Sequence, residues 1–435
     1  LTVVPAPNRT TYRDLFRIPS FPRLATSVIL ARTASQMMLL TLVLFVLQRF
    51  HSPSLAGITV FLSIAPGVAL SPLAGALLDR HGRVRLITLD YLVGFVTLAL
   101  IAGLDLSGRL TPPVLLPIVA VSSLTYSLSN SGARSLLPLI VPKHLWDRVN
   151  ALDSIAYALT SAAGPALAGV LTAWAGPRLA LTVTSATFLL AALLIIPLPE
   201  PVLAGTARSV FKDALAGLRY VVVNNPALRG IAVTASLLNV GFGIVLVALP
   251  VLVLQQMHGS PALVGGLWAA YGLASVVSAL IAGRISSEGR ERPVMIAADV
   301  VAGLALVLLA FAGNAWLVAA ALLIAGLANG PFDVSMFSMR QRRTDPAWYG
   351  RAFAVSMGLN WAGQPIGSAL SGPLIHIGLT VAFLVAAFLS LLAAGLVWWV
   401  IPAEAAGKIG GESARQSRRD RPVEESPSSA EQGAG

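Results

Sequence analysis

The chain has 435 residues, 56% of them hydrophobic and only 11% charged, at a mean hydropathy of +0.78. A soluble domain carries roughly a quarter charged residues, so there is too little polar surface here to cover a water-soluble globule, and lipid must solvate much of the chain. The net charge of +11 would point to nucleic acid in a soluble protein; here the arginines sit in short loops beside apolar runs, as in cytoplasmic membrane loops, and the lack of cysteine excludes a disulfide framework and a thiolate metal site.

Residues 1–23 are polar, with Arg9, Arg13, Arg17 and Arg23, and Tyr12, Leu15, Phe16 and Ile18 are spaced for a short interfacial helix. This opening lacks the apolar core of a cleavable signal peptide. Twelve apolar runs follow: Leu24–Gln48, Leu55–Leu78, Leu86–Leu104, Val114–Leu137, Trp146–Ala173, Leu179–Pro197, Leu228–Leu254, Leu263–Gly283, Val294–Gly313, Trp316–Met339, Arg351–Ile375 and Leu379–Ile401. Each is long enough to cross ~30 Å of hydrocarbon as a helix. With the N-terminus in the cytoplasm, basic residues from Arg80, Arg83 and Arg85 to Arg340, Arg342 and Arg343 fall on that side. The opposite side keeps only Arg49, Arg109 and Arg178, an asymmetry that places both termini inside.

The longest internal connection, Pro199 to Ala227, repeats Val210, Phe211, Leu215, Leu218 and Val222 at helical spacing among basic residues, the pattern of an amphipathic helix on the membrane surface. After Pro402 the tail is rich in Glu, Arg, Ser, Gly and Pro and is expected to be disordered. The expected organisation is an N-terminal cytoplasmic or interfacial segment (1–23), a six-helix bundle (24–198), a cytoplasmic linker (199–227), a second six-helix bundle (228–401) and a cytoplasmic tail (402–435).

The two bundles repeat one another. Val46 to His51 is echoed by Val253 to His258, Ser52-Pro53-Ser54-Leu55-Ala56-Gly57 by Ser260-Pro261-Ala262-Leu263-Val264-Gly265, and Gly164-Pro165-Ala166-Leu167-Ala168-Gly169 by Gly367-Ser368-Ala369-Leu370-Ser371-Gly372. Three blocks at nearly constant offset describe two parallel six-helix repeats, an architecture of membrane transporters.

Between the second and third runs lies a tight polar link, Gly75-Ala76-Leu77-Leu78-Asp79-Arg80-His81-Gly82-Arg83-Val84-Arg85. It resembles the signature of the major facilitator superfamily, Gly-x-x-x-Asp-Arg-x-Gly-Arg-x-Arg, at Gly75, Asp79, Arg80, Gly82, Arg83 and Arg85. Its second-half counterpart, Gly283 to Arg292, keeps glycines and arginines without the aspartate. The finer resemblance is to the bacterial efflux branch of macrolide and siderophore exporters. It rests on Leu15-Phe16-Arg17, Phe21-Pro22-Arg23-Leu24, Ser35-Gln36, Ala133-Arg134-Ser135-Leu136-Leu137-Pro138 and Asn150-Ala151-Leu152. Gly164, Pro165 and Gly169 resemble the antiporter signature of drug exporters, with Ala168 in place of its second adjacent glycine.

The resemblance implies an all-α membrane protein of twelve helices in two pseudo-symmetric bundles. It also implies a gate in which Asp79 meets the start of helix eleven near Arg351; the local alternative is a solvated acid among topogenic arginines. Arg32 lies ~12 Å into the first helix at 1.5 Å per residue, and an intramembrane charge implies a function and a partner unless it snorkels. Of the acids within spans, Asp90, Asp153, Asp299 and Asp333, Asp333 is the first candidate for coupling to protons, because helix ten lines the cavity of the resembling fold. Asp90 and Arg32 follow. The alternative is that such acids pair structurally with loop arginines.

The same fold would bring Gln36, Tyr126, Asn130, Asn239 and Asn329 to a central cavity, with Asn360, Trp361 and Gln364 from helix eleven, unless they only bridge helices. Few polar anchors among Leu, Val and Ala suit a bulky amphipathic compound. No Gly-x-x-x-x-Gly-Lys-Ser/Thr occurs, which argues against ATP hydrolysis, and the five histidines do not cluster as a metal site. Neither an enzyme nor a cofactor is expected. The expected protein is a multi-pass cell-membrane exporter of drug-like or siderophore-like molecules, a monomer working by proton antiport and alternating access in contact with membrane lipid. A metabolite importer or facilitator, and a membrane receptor or assembly component that transports nothing, are the alternatives.

Overall fold

A computed structural model describes residues 12–200, 210–285, 288–345 and 348–402, and every regular element among them is helical. After a short helix at Tyr12–Phe16 come α1 (Phe21–Phe50), α2 (Pro53–His81) and α3 (Arg83–Leu106). The fourth span is in two pieces, α4a (Pro112–Ser123) and α4b (Tyr126–Ile140). Backbone helix then runs from Trp146 to Ile195, interrupted at Ala175 and Gly176, where φ is +83°. This break separates α5 (146–174) from α6 (177–195). A linker helix, Val210–Arg219, precedes α7 (Pro226–Val251), α8 (Pro261–Ala282), α9 (Glu291–Ala310) and α10 (Ala315–Arg342). The eleventh span is α11a (Tyr349–Trp361) and α11b (Gly363–Ile377), and α12 is Leu379–Val400.

Ten of the described stretches are long and apolar enough to cross a membrane, one of them holding both α5 and α6. The broken eleventh span brings the elements level with the twelve expected from the sequence. Two departures have local causes. Pro365 has no N–H to bond the Trp361 carbonyl, so the eleventh span hitches at Ala362. In the fourth, the hydroxyls of Ser122, Ser123 and Thr125 donate to the Val119, Ala120 and Ser122 carbonyls and compete with the helix's own bonds. Gly164-Pro165 does not break α5: helical dihedrals run through Pro165.

The repeated blocks build the same turn in both halves. His51 (φ +53°) and His258 (φ +51°) are the non-glycine residues in left-handed conformation among those described. A serine follows, Ser52 directly after His51 and Ser260 after His258 and Gly259, and its hydroxyl accepts the N–H of Leu55 or Leu263 at 3.2 Å. A proline fills the first helical turn behind each cap. Both histidines are thereby turn residues.

The described residues up to Ile401 form one compact unit. One apolar core joins the two halves at the end bearing Phe45–Leu47 of α1 and Ile244–Val253. At the arginine-rich end, the second half has a core of its own, with Ile231, Met295, Phe332, Met336 and Met339. By the distribution of positive charge that end is cytoplasmic, so the core shared by the halves lies toward the outer face. The expected amphipathic linker coincides in part with Val210–Arg219, on which Leu215 and Leu218 are exposed. Residues 201–209 of that linker and the tail from 403 onward lie outside the described residues.

Candidate functional site

The outer seal is made where the repeated sequence blocks meet. A Cβ on Gly57 of α2 would lie 2.6 Å from Ser371 Oγ of α11b and closer still to the Ser368 carbonyl. One on Gly372 would lie 2.6 Å from Ser54 Oγ. In the second seam, a Cβ on Gly169 of α5 would stand 2.6 Å from the Pro261 carbonyl and 2.8 Å from Gly265 Cα of α8, and one on Gly265 would stand 2.5 Å from the Pro165 carbonyl. The contacts of the second seam are with backbone, which has little room to yield. The block at the start of α2 thus seats on the block in α11b, and its copy at the start of α8 seats on the copy in α5. Gly164 brings α5 against α1, its missing Cβ occupied by Gln36 Cβ. The antiporter-like residues Gly164, Pro165 and Gly169 therefore serve close packing.

Beneath the seal, Arg32 does not snorkel. Its Nη1 donates to Asp153 Oδ1 at 2.6 Å, both side chains are largely buried, and the guanidinium lies 5.8 Å from the Tyr157 ring. Asp90 is buried and lines a small recess with Ser35, Ser63 and Tyr126. On the opposite wall Asn329 Nδ2 donates to Asp333 Oδ2 at 3.0 Å and to Ser275 Oγ at 2.9 Å, and Asn239 Nδ2 donates to Asn360 Oδ1 at 3.0 Å. Tyr126, Asn130 and Trp361 are exposed, whereas Gln364 is buried where α11b crosses α7 at Gly243. Gln36 and Gln364 thus sit in helix seams, while Asn239 with Asn360 and Asn329 with Asp333 form bonded pairs. Asp299 is buried between α9 and α12 with its Oδ2 unbonded, away from any loop arginine pairing.

The polar link closes α2 and opens α3. Gly75 and Asp79 are in the helical backbone of α2, but the side chains of Asp79 and Arg351 lie outside those described. Arg80 is exposed at the end of α2. Gly82 takes φ +95°, and a Cβ there would lie 2.8 Å from Glu200 Cδ. The Glu200 carboxylate accepts the backbone N–H of Arg83 at 2.5 Å and of Arg85 at 3.3 Å, seating an anion on the positive end of α3. Sequence reading missed Glu200, since 117 residues separate it from Arg83. Its Pro199-Glu200-Pro201 setting carries no capping pattern. Replacing Glu200 by alanine should destabilise the protein by ~0.5–2 kcal/mol, as for lost helix caps, read as a lower thermal midpoint in detergent.

A second charged clasp lies at the outer face. Asp105, its side chain 1% exposed, accepts from Arg49 Nε at 2.7 Å and from Arg178 Nε. It ties the ends of α1 and α3 to the start of α6, and it uses two of the few arginines on that side. Both arginines are about half exposed, so water can take them over if the acid is lost. Asp105→Ala should therefore destabilise by only ~1.5–3 kcal/mol, the range for hydrogen bonds to charged groups, which chemical unfolding of the detergent-solubilised protein measures. At the cytoplasmic end, Glu291 of α9 pairs with Arg342 of α10.

Two repeated six-helix bundles, packed closely through glycine seams and holding a largely buried charged pair in the first half, have the architecture of a polytopic transporter. The family model of the Major Facilitator Superfamily matches residues 24–287 and 231–430, and the chain belongs to that family. It is 39% identical over 399 residues to the MFS-type transporter y4rN of Sinorhizobium fredii, covering 88% of this chain and 95% of that protein. It is 26% identical over 361 residues to the enterobactin exporter EntS of Shigella boydii, covering 81% and 85%. Among solved structures, that of the nucleoside transporter NupG superposes with a TM-score of 0.71 at 16% identity, covering 87% of this chain and 98% of that one; this likeness is one of fold. The protein is thus a multi-pass membrane transporter.

Proposed function

We propose that this transporter exports amphipathic small molecules from the cytoplasm in exchange for protons. The observation that carries the reading is that a few polar groups, Asp333 held by Asn329 in the second half and the Arg32–Asp153 pair in the first, lie within otherwise apolar helices below the outer seam; in this reading they line a cavity between the halves that opens to the cytoplasm. Apolar helices surround these few polar groups, which favours a bulky amphipathic substrate. The relatedness to the enterobactin exporter EntS supports the outward direction and a siderophore-like or drug-like cargo. In this reading the glycine seams are the outer gate, Asp79 with Arg80, Arg83 and Arg85 latches the inner one against α11a when the halves rock, and Asp333 carries the proton, with Asp90 of the first half the second candidate. The working unit is a single chain in lipid.

Everted membrane vesicles test this. Energised vesicles containing the protein should accumulate an exported compound and release protons as they do so, which a pH-sensitive dye reports. Accumulation in the reverse direction, into right-side-out vesicles, would establish import instead, and no flux in either would end the transport reading of this site.

A further inference from the structure

The walls of the cavity are not balanced in charge. On the first-half wall Arg32 is neutralised by Asp153, and Asp90 is turned into its own recess beside Ser129 and Thr125. Arg134 of α4b is different. It is exposed, and it makes no hydrogen bond or ion pair among the described residues. It lies six residues before the cytoplasmic end of α4b at Ile140, ~9 Å along the helix. Asn130 and Tyr126 stand four and eight residues earlier and are likewise exposed, so the three share one stripe of the helix. The Tyr157 ring of α5 lies 5.8 Å from the Arg32 guanidinium, and Tyr126 lines the recess that holds Asp90 and Ser35, so both tyrosines stand beside polar groups of the first half and the stripe runs from that recess toward the cytoplasmic end. Tyr126 and Tyr157 are each 40% exposed, two aromatic faces in the middle of the molecule beside one uncompensated cation.

A cation in a membrane-embedded cavity is expensive without a counter-charge. Guanidinium groups also favour carboxylates, phenolates and other oxyanions through paired hydrogen bonds. Resting on the export reading above, we propose that Arg134, Tyr126 and Tyr157 form the site that receives the anionic aromatic head of the transported compound. The oxyanion would meet the guanidinium and the ring would lie against the tyrosines, reached from the cytoplasm in the conformation seen. Asn130 supplies a neighbouring amide.

The test compares two naphthalene probes that differ in charge. The full chain in nanodiscs of zwitterionic lipid is titrated with 8-anilinonaphthalene-1-sulfonate and with the neutral N-phenyl-1-naphthylamine, against empty discs. Wild-type protein should bind the anion saturably and more tightly than the neutral probe. Arg134→Gln should weaken the anion by roughly 10- to 100-fold, the range for a lost charge-assisted hydrogen bond, and leave the neutral probe unchanged. If wild type shows no preference for the anion, or if Arg134→Gln keeps it, the assignment is overturned. Should Arg134→Gln lose the neutral probe as well, Arg134→Lys decides: retained preference for the anion supports the site, and its loss overturns it. The outcome is separable from that of the vesicle assay. A protein that binds the anion through Arg134 but exports nothing refutes only the export reading, and one that exports only neutral or cationic compounds refutes only this site.

Discussion

Replacing Gly169 by leucine is expected to prevent the outer face from closing and to abolish most transport. The space a side chain would need is filled by the Pro261 carbonyl and the backbone of Gly265, so α5 and α8 would have to separate. Overpacking of this kind costs ~1–3 kcal/mol or more. At 1.4 kcal/mol per factor of ten, that moves the balance between outward-closed and outward-open forms by roughly 5- to 150-fold. The bundle cores are untouched by the substitution, so membrane abundance should stay near normal. The chain has no cysteine, which makes the readout direct. A single cysteine at Asn130 should gain reactivity toward an impermeant maleimide added from outside when Gly169→Leu is present. Unchanged labelling together with normal transport would remove the seam from the gating cycle. Gly57→Leu, at the related contact with Ser368 and Ser371, should behave alike, because the pseudo-symmetry makes the two seams equivalent.

Asp333→Asn is expected to abolish uphill, proton-driven export while leaving downhill movement of substrate. The amide keeps the size of the side chain, and its oxygen can still accept from Asn329, which also donates to Ser275, so the local packing should survive. What it loses is the ability to take up and give back a proton, and with it the change of charge that would tie substrate movement to the proton gradient. Counterflow of labelled substrate in proteoliposomes should persist, and accumulation driven by an imposed pH gradient should fall to the level of empty liposomes. Persistent uphill transport in Asp333→Asn would move the coupling role to Asp90 or to another acid.

Much of this protein is legible in one dimension because the bilayer imposes one-dimensional rules. Hydrocarbon requires each crossing segment to satisfy its own backbone, so runs of apolar residues report helices. The arginines that follow Asp79 and those that end α10 report which side faces the cytoplasm. Local capping is equally readable: Ser52 and Ser260 before proline, and Asn314, whose side chain accepts the Leu317 N–H at 3.0 Å, announce their helices within three residues. The breaks in the fourth and eleventh spans are less so, since a hydroxyl or a proline leaves a helix intact in one setting and interrupts it in another. The helix runs unbroken before Pro165, whereas it breaks at Ala362, three residues before Pro365.

Composition, periodicity and internal repetition by themselves determined that this chain is a duplicated bundle of membrane helices with an arginine-rich inner face. Tertiary structure alone decided which repeated block seats on which, that Arg32 pairs with Asp153 while Arg134 is exposed and unpaired among the described residues, and that Glu200 and Asp105 bind segments far away in the chain. The reason is range. Solvation and helix capping act on a residue and its near neighbours, so they leave a pattern in sequence. A glycine that admits another helix, or a carboxylate that meets an arginine 56 or 73 positions away, acquires its meaning only when folding brings the partner to it.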